Sequence, residues 1–212
     1  IGLCLVGSEM CIRDSASNNT FSASFTITVT DNENPTITCA ADQTASATNG
    51  SCDAAVTVVA PTTADNCALT VTNDFNGTAD ASGTYPVGTT TVVWTVTDAS
   101  NNTATCSMNI TVTDNENPTI VDLPANIAVN NDAGVCGAVV TWVAPTSADN
   151  CAGSSIAQTA GDVSGSTFPI GATTITYTAT DASNNTFSAS FTITVTDNEN
   201  PTIVDLPANI AV

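Results

Sequence analysis

The sequence predicts an all-β chain of tandem two-sheet sandwiches, on the strength of its composition, a period-two alternation of apolar side chains and a repeat of fixed length. Thr supplies 39 residues, whereas Leu, Arg, Glu, Gln and Met together supply 14 and Lys is absent. The branched Cβ of Thr suits a pleated surface, and the scarce residues are the strong helix formers. A chain of 212 residues accommodates one large domain or two of roughly 100. Composition alone does not choose between them.

The repeat does. The string Asp-Asn-Glu-Asn-Pro-Thr-Ile starts at Asp31, Asp114 and Asp197, an interval of 83 residues both times. Residues 16–37 recur unchanged as residues 182–203, two periods later. Inside the unit, Tyr85-Pro-Val-Gly matches Phe168-Pro-Ile-Gly, and Trp94 matches Tyr177. A period of this length is too long for a solenoid coil or a propeller blade, which run to about 20 to 50 residues. It fits a small self-contained domain. The expected divisions are 1–15, a segment outside the fold; 16–31, the last strand of a preceding repeat; 32–114 and 115–197, two whole domains; and 198–212, the start of a further repeat. The first segment, IGLCLVGSEMCIRDS, resembles a translated sequencing adaptor. Its apolar run is too short for a signal peptide and lacks a charged leading region.

Alternation defines the strands. Val92, Trp94 and Val96 share one parity, with Ile175, Tyr177 and Ala179 as their counterparts. The next strand is predicted to turn Met108, Ile110 and Val112 inward, and its copy Phe191, Ile193 and Val195. Such patterning marks half-buried strands. Asp98-Ala-Ser-Asn-Asn102 between them reads as a hairpin loop. Val56 and Val58, matched by Val140 and Trp142, form an earlier strand that ends at Ala-Pro-Thr. Short strands at this spacing, about seven to the unit, point to a sandwich.

Charge narrows the function classes. There are 20 acidic residues against Arg13 alone. A surface without cations cannot neutralise phosphates, so no nucleic acid partner and no anionic lipid surface is expected. Metal cations are better matched. No apolar run approaches the roughly 20 residues needed to cross a bilayer, so direct membrane insertion is not expected. Eight Cys fit an oxidising compartment. With no His and no Cys-x-x-Cys pair, a zinc site has little to build on. Catalysis needs a positioned acid, base or nucleophile, and neither His, Lys nor a G-x-S-x-G elbow is present, so no enzyme is expected.

The order Pro-Thr-Ile-x-Cys, Cys-x-Ala-x-Val, Ala-Asp-Asn-Cys, Tyr-Pro-Val-Gly-Thr-Thr-Thr-Val and Thr-Asp-Ala-x-x-Asn-Thr-Ala-Thr-Cys, read from Pro35 to Asp114, resembles the HYR (hyalin repeat) family. The resemblance covers essentially everything after residue 15. It implies tandem immunoglobulin-like β-sandwiches joined end to end by short acidic linkers. It also implies a secreted or cell-surface location, with a bacterial surface protein as the expected source. The function it implies is that of a structural or adhesive repeat module, a stalk or adhesin segment, with an unknown protein or glycan ligand and the adjacent repeats of the same chain as partners. The alternative is a carbohydrate-binding or spacer accessory module of a secreted hydrolase, for which exposed aromatic rows are expected and not seen.

Comparing the repeats predicts the disulfides. The first repeat has Cys39, Cys52, Cys67 and Cys106, which allow three connectivities. The second keeps Cys136 and Cys151, aligned with Cys52 and Cys67, and has Asp122 and Ala189 in place of Cys39 and Cys106. Joint loss is what a bonded pair predicts. The expected bridges are therefore Cys39 with Cys106, Cys52 with Cys67, and Cys136 with Cys151.

The linkers point to calcium, with turn-forming Asp and Asn before a Pro that ends the pairing as the alternative. Asp31-Asn-Glu-Asn-Pro35 recurs at Asp114 and Asp197, and calcium prefers carboxylate and amide oxygens. The pattern is similar to the linker of cadherins, where calcium stiffens the joint. In an immunoglobulin-like sandwich two loops lie at the pole where the chain enters. Asp65 and Asp98 are therefore expected near Asp31 and Glu33, and Asp149 and Asp181 near Asp114 and Glu116.

Overall fold

The computed structural model of the chain describes residues 25–205. The segment 1–15, with Arg13, and residues 206–212 lie outside the described residues. The described chain is all-β, with strands β1 (Thr36–Thr38), β2 (Gln43–Ser46), β3 (Asp53–Val56), β4 (Thr62–Ala64), β5 (Leu69–Asn73), β6 (Gly83–Pro86), β7 (Gly88–Asp98) and β8 (Thr103–Thr113) in order. The second repeat continues with β9 (Thr119–Val121), β10 (Ile127–Asn130), β11 (Gly137–Val139), β12 (Thr146–Ala148), β13 (Ser155–Ala160), β14 (Thr167–Pro169), β15 (Gly171–Thr180) and β16 (Thr186–Thr196).

The chain forms two compact units. One holds residues up to Thr48 with Asp53–Thr113, and the other holds Asn49–Cys52 with the residues from Asp114 onward. In unit 1 a four-stranded sheet runs β2-β8-β7-β5, and β3-β6 and β1-β4 make up the opposite layer. Unit 2 repeats this as β10-β16-β15-β13, β11-β14 and β12-β9. In each unit the leading strand of the large sheet lies parallel to the last, Gln43 opposite Ile110 and Ile127 opposite Ile193. These are immunoglobulin-like sandwiches. The strand expected through Val58 to Ala-Pro-Thr stops at Val56, and in the second repeat at Val139, because the N–H groups of Val58 and Trp142 go to the Ser82 and Ser164 hydroxyls at 3.0 and 2.9 Å; Thr62–Ala64 beyond Pro61 pairs with β1 instead.

The core follows the predicted parity. Val92, Trp94 and Val96 of β7 and Met108, Ile110 and Val112 of β8 are buried, as are Ile175, Tyr177 and Ala179 of β15 and Phe191, Ile193 and Val195 of β16. Tyr85 donates its hydroxyl to the Ala81 carbonyl at 2.6 Å, which lets the ring be buried with its polar end satisfied. Among the described residues no helix is long and apolar enough to cross a membrane.

Residues 25–30, the described part of the stretch expected to be the last strand of a preceding repeat (16–31), are exposed and carry no ladder. A strand needs a neighbour for its backbone groups, and no strand pairs with this stretch among the described residues. The expected bridges are corrected in part. Cys39 is bonded to Cys106, but Cys52 is bonded to Cys151, so neither the Cys52–Cys67 nor the Cys136–Cys151 pair forms. The physical cause is the placement of Asn49–Cys52 in unit 2. There Gly50 N–H donates to Glu116 Oε2 at 2.7 Å and Asn150 Nδ2 donates to the Ser51 carbonyl at 3.0 Å, which sets Cys52 beside Cys151.

Candidate functional site

The linker carboxylates are shaped by local turns. Asp31 Oδ1 accepts the Glu33 N–H at 3.0 Å, and Asp114 Oδ1 accepts the Glu116 N–H at 3.1 Å. Asp65 and Asp149 make the same two-residue turn, accepting the N–H groups of Cys67 and Cys151 at 3.0 and 2.9 Å. Asp favours this geometry because its short side chain reaches the backbone two residues on. Each turn uses one carboxylate oxygen for the backbone.

The paired carboxylates also lie close together. In unit 1, ligand atoms of Asp31, Asp65 and Cys67 lie within 4.8 Å of one another, and in unit 2 those of Asp114, Asp149 and Cys151 do the same. Two oxygens bound to one calcium at about 2.4 Å are separated by at most about 4.8 Å, so both carboxylate pairs can share an ion. The Cys151 sulfur is committed to Cys52 and is no thiolate ligand. Asp114 is only 2% exposed. Its Oδ2, Asp149 Oδ1 and Asn150 Oδ1 are buried and accept no hydrogen bond, and in unit 1 neither does Asp31 Oδ2. Asn150 is oriented with its nitrogen toward the Ser51 carbonyl and Asp114 Oδ1, at 3.0 and 3.4 Å, so its oxygen is the free end. An all-oxygen donor set left unpaired by protein groups fits a hard cation.

The other predicted ligands are engaged elsewhere. Glu33 Oε2 accepts Asn66 Nδ2 at 3.1 Å, and Glu116 Oε2 accepts Gly50 N–H. Asp98 closes its hairpin loop, accepting Ser100 N–H and Asn102 N–H at 2.8 Å on Oδ1 and Asn102 Nδ2 at 2.8 Å on Oδ2. Asp181 does the same with Asn185, at 2.7 and 2.8 Å. Burial alone pushes the Asp98 carboxyl up. Hydrogen bonds from the side chain and backbone of Asn102, and from the backbone of Ser100 and Asn101, outweigh it and hold the group below the ordinary carboxylate value. The loops still touch the linkers, because Asn102 Nδ2 also donates to the Asp31 carbonyl at 3.2 Å and Asn185 Nδ2 to the Asp114 carbonyl at 3.1 Å. Sequence reasoning passed over these amides and Asn150. Their signal was the Asn that follows Asp in both copies of Ala-Asp-Asn-Cys and closes both Asp98-type loops.

The architecture defines a class: tandem immunoglobulin-like modules with a carboxylate-rich segment at the start of each. The HYR domain model matches residues 30–112 and 113–195, and the chain belongs to the HYR family. It is 32% identical over 207 residues to hyalin of Strongylocentrotus purpuratus, covering 90% of this chain and 16% of that protein. Against hyalin of Lytechinus variegatus the figures are 33% over 159 residues, 73% and 29%. A rat protein named for sushi, von Willebrand factor type A, EGF and pentraxin domains is 34% identical over 159 residues, 73% of this chain and 4% of its own length. The chain thus spans less than a third of each of these relatives. Among solved structures, human protocadherin-24 EC1-2 superposes with a TM-score of 0.40 at 13% identity, covering 78% of this chain and 100% of that one. Drosophila N-cadherin EC1-4 gives 0.40 at 13%, with 77% and 49% covered. The protein is a secreted or cell-surface one, and the chain is an extracellular repeat module of the adhesion type.

Proposed function

We propose that this chain is a segment of a stalk or adhesin array whose units bind calcium through their entry carboxylates. Asp114, Asp149 and Asn150 hold the ion in unit 2, and Asp31 and Asp65 hold it in unit 1. The observation that carries the reading is the set of three buried, unpartnered oxygens on Asp114, Asp149 and Asn150. Residues 25–205 contain no Lys, Arg or His to neutralise them. Leaving such oxygens buried and unpaired costs about 1 to 3 kcal/mol each, more where charged, and a divalent ion removes that cost. When bound, calcium supplies positive charge and draws together residues distant in sequence. Asp114, Asp149 and Asn150 supply oxygens and fix the entry segment against the β12 loop. Repetition then lets many weak contacts with a protein or glycan ligand add.

Calorimetry tests the cation. With a dissociation constant of about 0.1 to 1 mM, millimolar calcium stabilises unit 2 by about 1 to 2 kcal/mol, and a chelator reverses the rise in melting temperature. Asp114→Asn abolishes the response of the unit 2 transition and leaves that of unit 1. No shift with calcium or chelator in the unmodified chain removes the cation from the reading. The adhesive role is tested separately, with beads coated with the chain and offered to cells or matrix. Retention rises steeply with coating density if weak contacts add; retention no better than that of bare beads overturns it.

A further inference from the structure

Cys52 and Cys136 occupy the same place in the two repeats, each immediately ahead of its strand, β3 or β11. The backbone before them repeats as well, with Gly50 at φ 74° and Gly134 at φ 71°. Gly50 N–H donates to Glu116 Oε2 at 2.7 Å, and Gly134 N–H donates to both oxygens of Glu199, at 2.9 and 3.0 Å. Glu116 and Glu199 are the same residue of the acidic linker, one 83-residue period apart. Each segment is therefore clipped to the linker that follows its own repeat. In the first instance the sulfur is bonded to Cys151, the cysteine of Ala148-Asp-Asn-Cys in the unit that the linker opens. In the second, Cys136 is exposed beside a cleft of about 340 Å³ lined by Val135, Ile170, Asp197, Glu199 and Pro201. Residues 197–212 repeat without a change the sequence of 114–129, with which the main part of unit 2 begins.

We propose that Cys136 forms a disulfide with the cysteine of an Ala-Asp-Asn-Cys segment in the unit opened at Asp197. The bonded state of Cys52, in the equivalent place and with the equivalent glutamate contact, is the observation that raises Cys136 above a lone thiol. The array is then cross-linked once per repeat, each repeat lending the segment before its third strand to the unit that follows. The chemistry is thiol–disulfide exchange with a small disulfide oxidant. The Cys136 thiolate attacks the oxidant and releases one thiol; the partner thiolate then displaces the second. Two S–H bonds are lost, one S–S bond forms, and the oxidant is reduced to two thiols.

The test compares the 212-residue chain with the same chain lengthened after Val212 by a copy of residues 130–197, both oxidised in a glutathione buffer. Each is alkylated, digested without reduction and analysed by mass spectrometry. The expected result is a peptide joining Cys136 to the added Ala-Asp-Asn-Cys cysteine, with alkylation of Cys136 falling by about tenfold or more relative to the shorter chain. In the lengthened chain Cys136→Ser returns the added cysteine to the alkylated pool. The proposal is overturned by equal alkylation of Cys136 in both chains, or by its linkage to any other cysteine. It is also overturned if the same digests show Cys52 not joined to Cys151, because the template is then gone.

Discussion

The two units close the same sandwich by different means. In unit 1, Trp94 of β7 stands opposite Cys106 of β8, and Cys106 is bridged to Cys39 across the core. In unit 2, the smaller Tyr177 stands opposite Ala189, and no sulfur is available at either bridge position. Trp142, at the place of Val58, fills the space. Its ring lies 5.9 Å from Phe168 and 5.4 Å from Phe191, and its Nε1–H donates to the Tyr177 hydroxyl at 2.9 Å. The indole N–H of Trp94 is by contrast buried without a partner. The bridge acts chiefly on the unfolded chain, whereas the aromatic cluster acts by burial in the folded one. Unit 1 carries its unpaired donor beside the Cys39–Cys106 bridge; unit 2, whose disulfide is Cys52–Cys151, has no bridge at those two positions and pairs its donor.

Breaking the bridge gives the largest effect. A closure of 67 residues is worth about 4 kcal/mol in the loop-entropy model. The Cys39→Ser, Cys106→Ser double variant therefore lowers the melting temperature of unit 1 by about 15 to 30 °C in calorimetry. The unit 2 transition stays in place; a matching fall in both transitions contradicts independent closure. Next is Trp142→Ala, expected to cost about 3 kcal/mol in denaturant unfolding and to fall on unit 2 alone.

Smaller effects sharpen the contrast. Tyr85→Phe removes the bond to the Ala81 carbonyl and leaves a buried acceptor, costing about 1 to 1.5 kcal/mol in unit 1. Unit 2 already carries Phe168 there, so Phe168→Tyr is expected to bring no gain. The smallest is acid sensitivity. Because the folded-state pKa of Asp98 is lowered, its contribution is present above the unfolded value near about 3.9 and is lost as pH falls from there through the folded value. Asp98→Asn flattens the acid limb of the unit 1 melting curve. An unchanged limb assigns the acid response to other carboxylates.

Much of the fold was legible because the signals are local. Side-chain parity along β7, β8, β15 and β16 is a property of each strand by itself, and the Asp98 loop is written in a short run of turn-forming residues. The joint absence of cysteine at Asp122 and Ala189 pointed to the Cys39–Cys106 pair. The partner of Cys52 was not legible, because spacing does not say that Asn49–Cys52 joins the following unit. The candidate site was half legible: the acidic linker pointed to Asp31 and Asp114. Only the folded loops bring Asp65 and Asp149 close to them while Glu33, Glu116, Asp98 and Asp181 are used in hydrogen bonds.

The amino-acid order by itself determined the alternation, the repeat and the turn chemistry, because these depend on neighbours along the chain. Tertiary structure alone decided which sulfur meets Cys52 and which oxygens are left unpaired. Each of these requires a partner brought from far along the chain, and the cost of closing that loop is met only by the packed core.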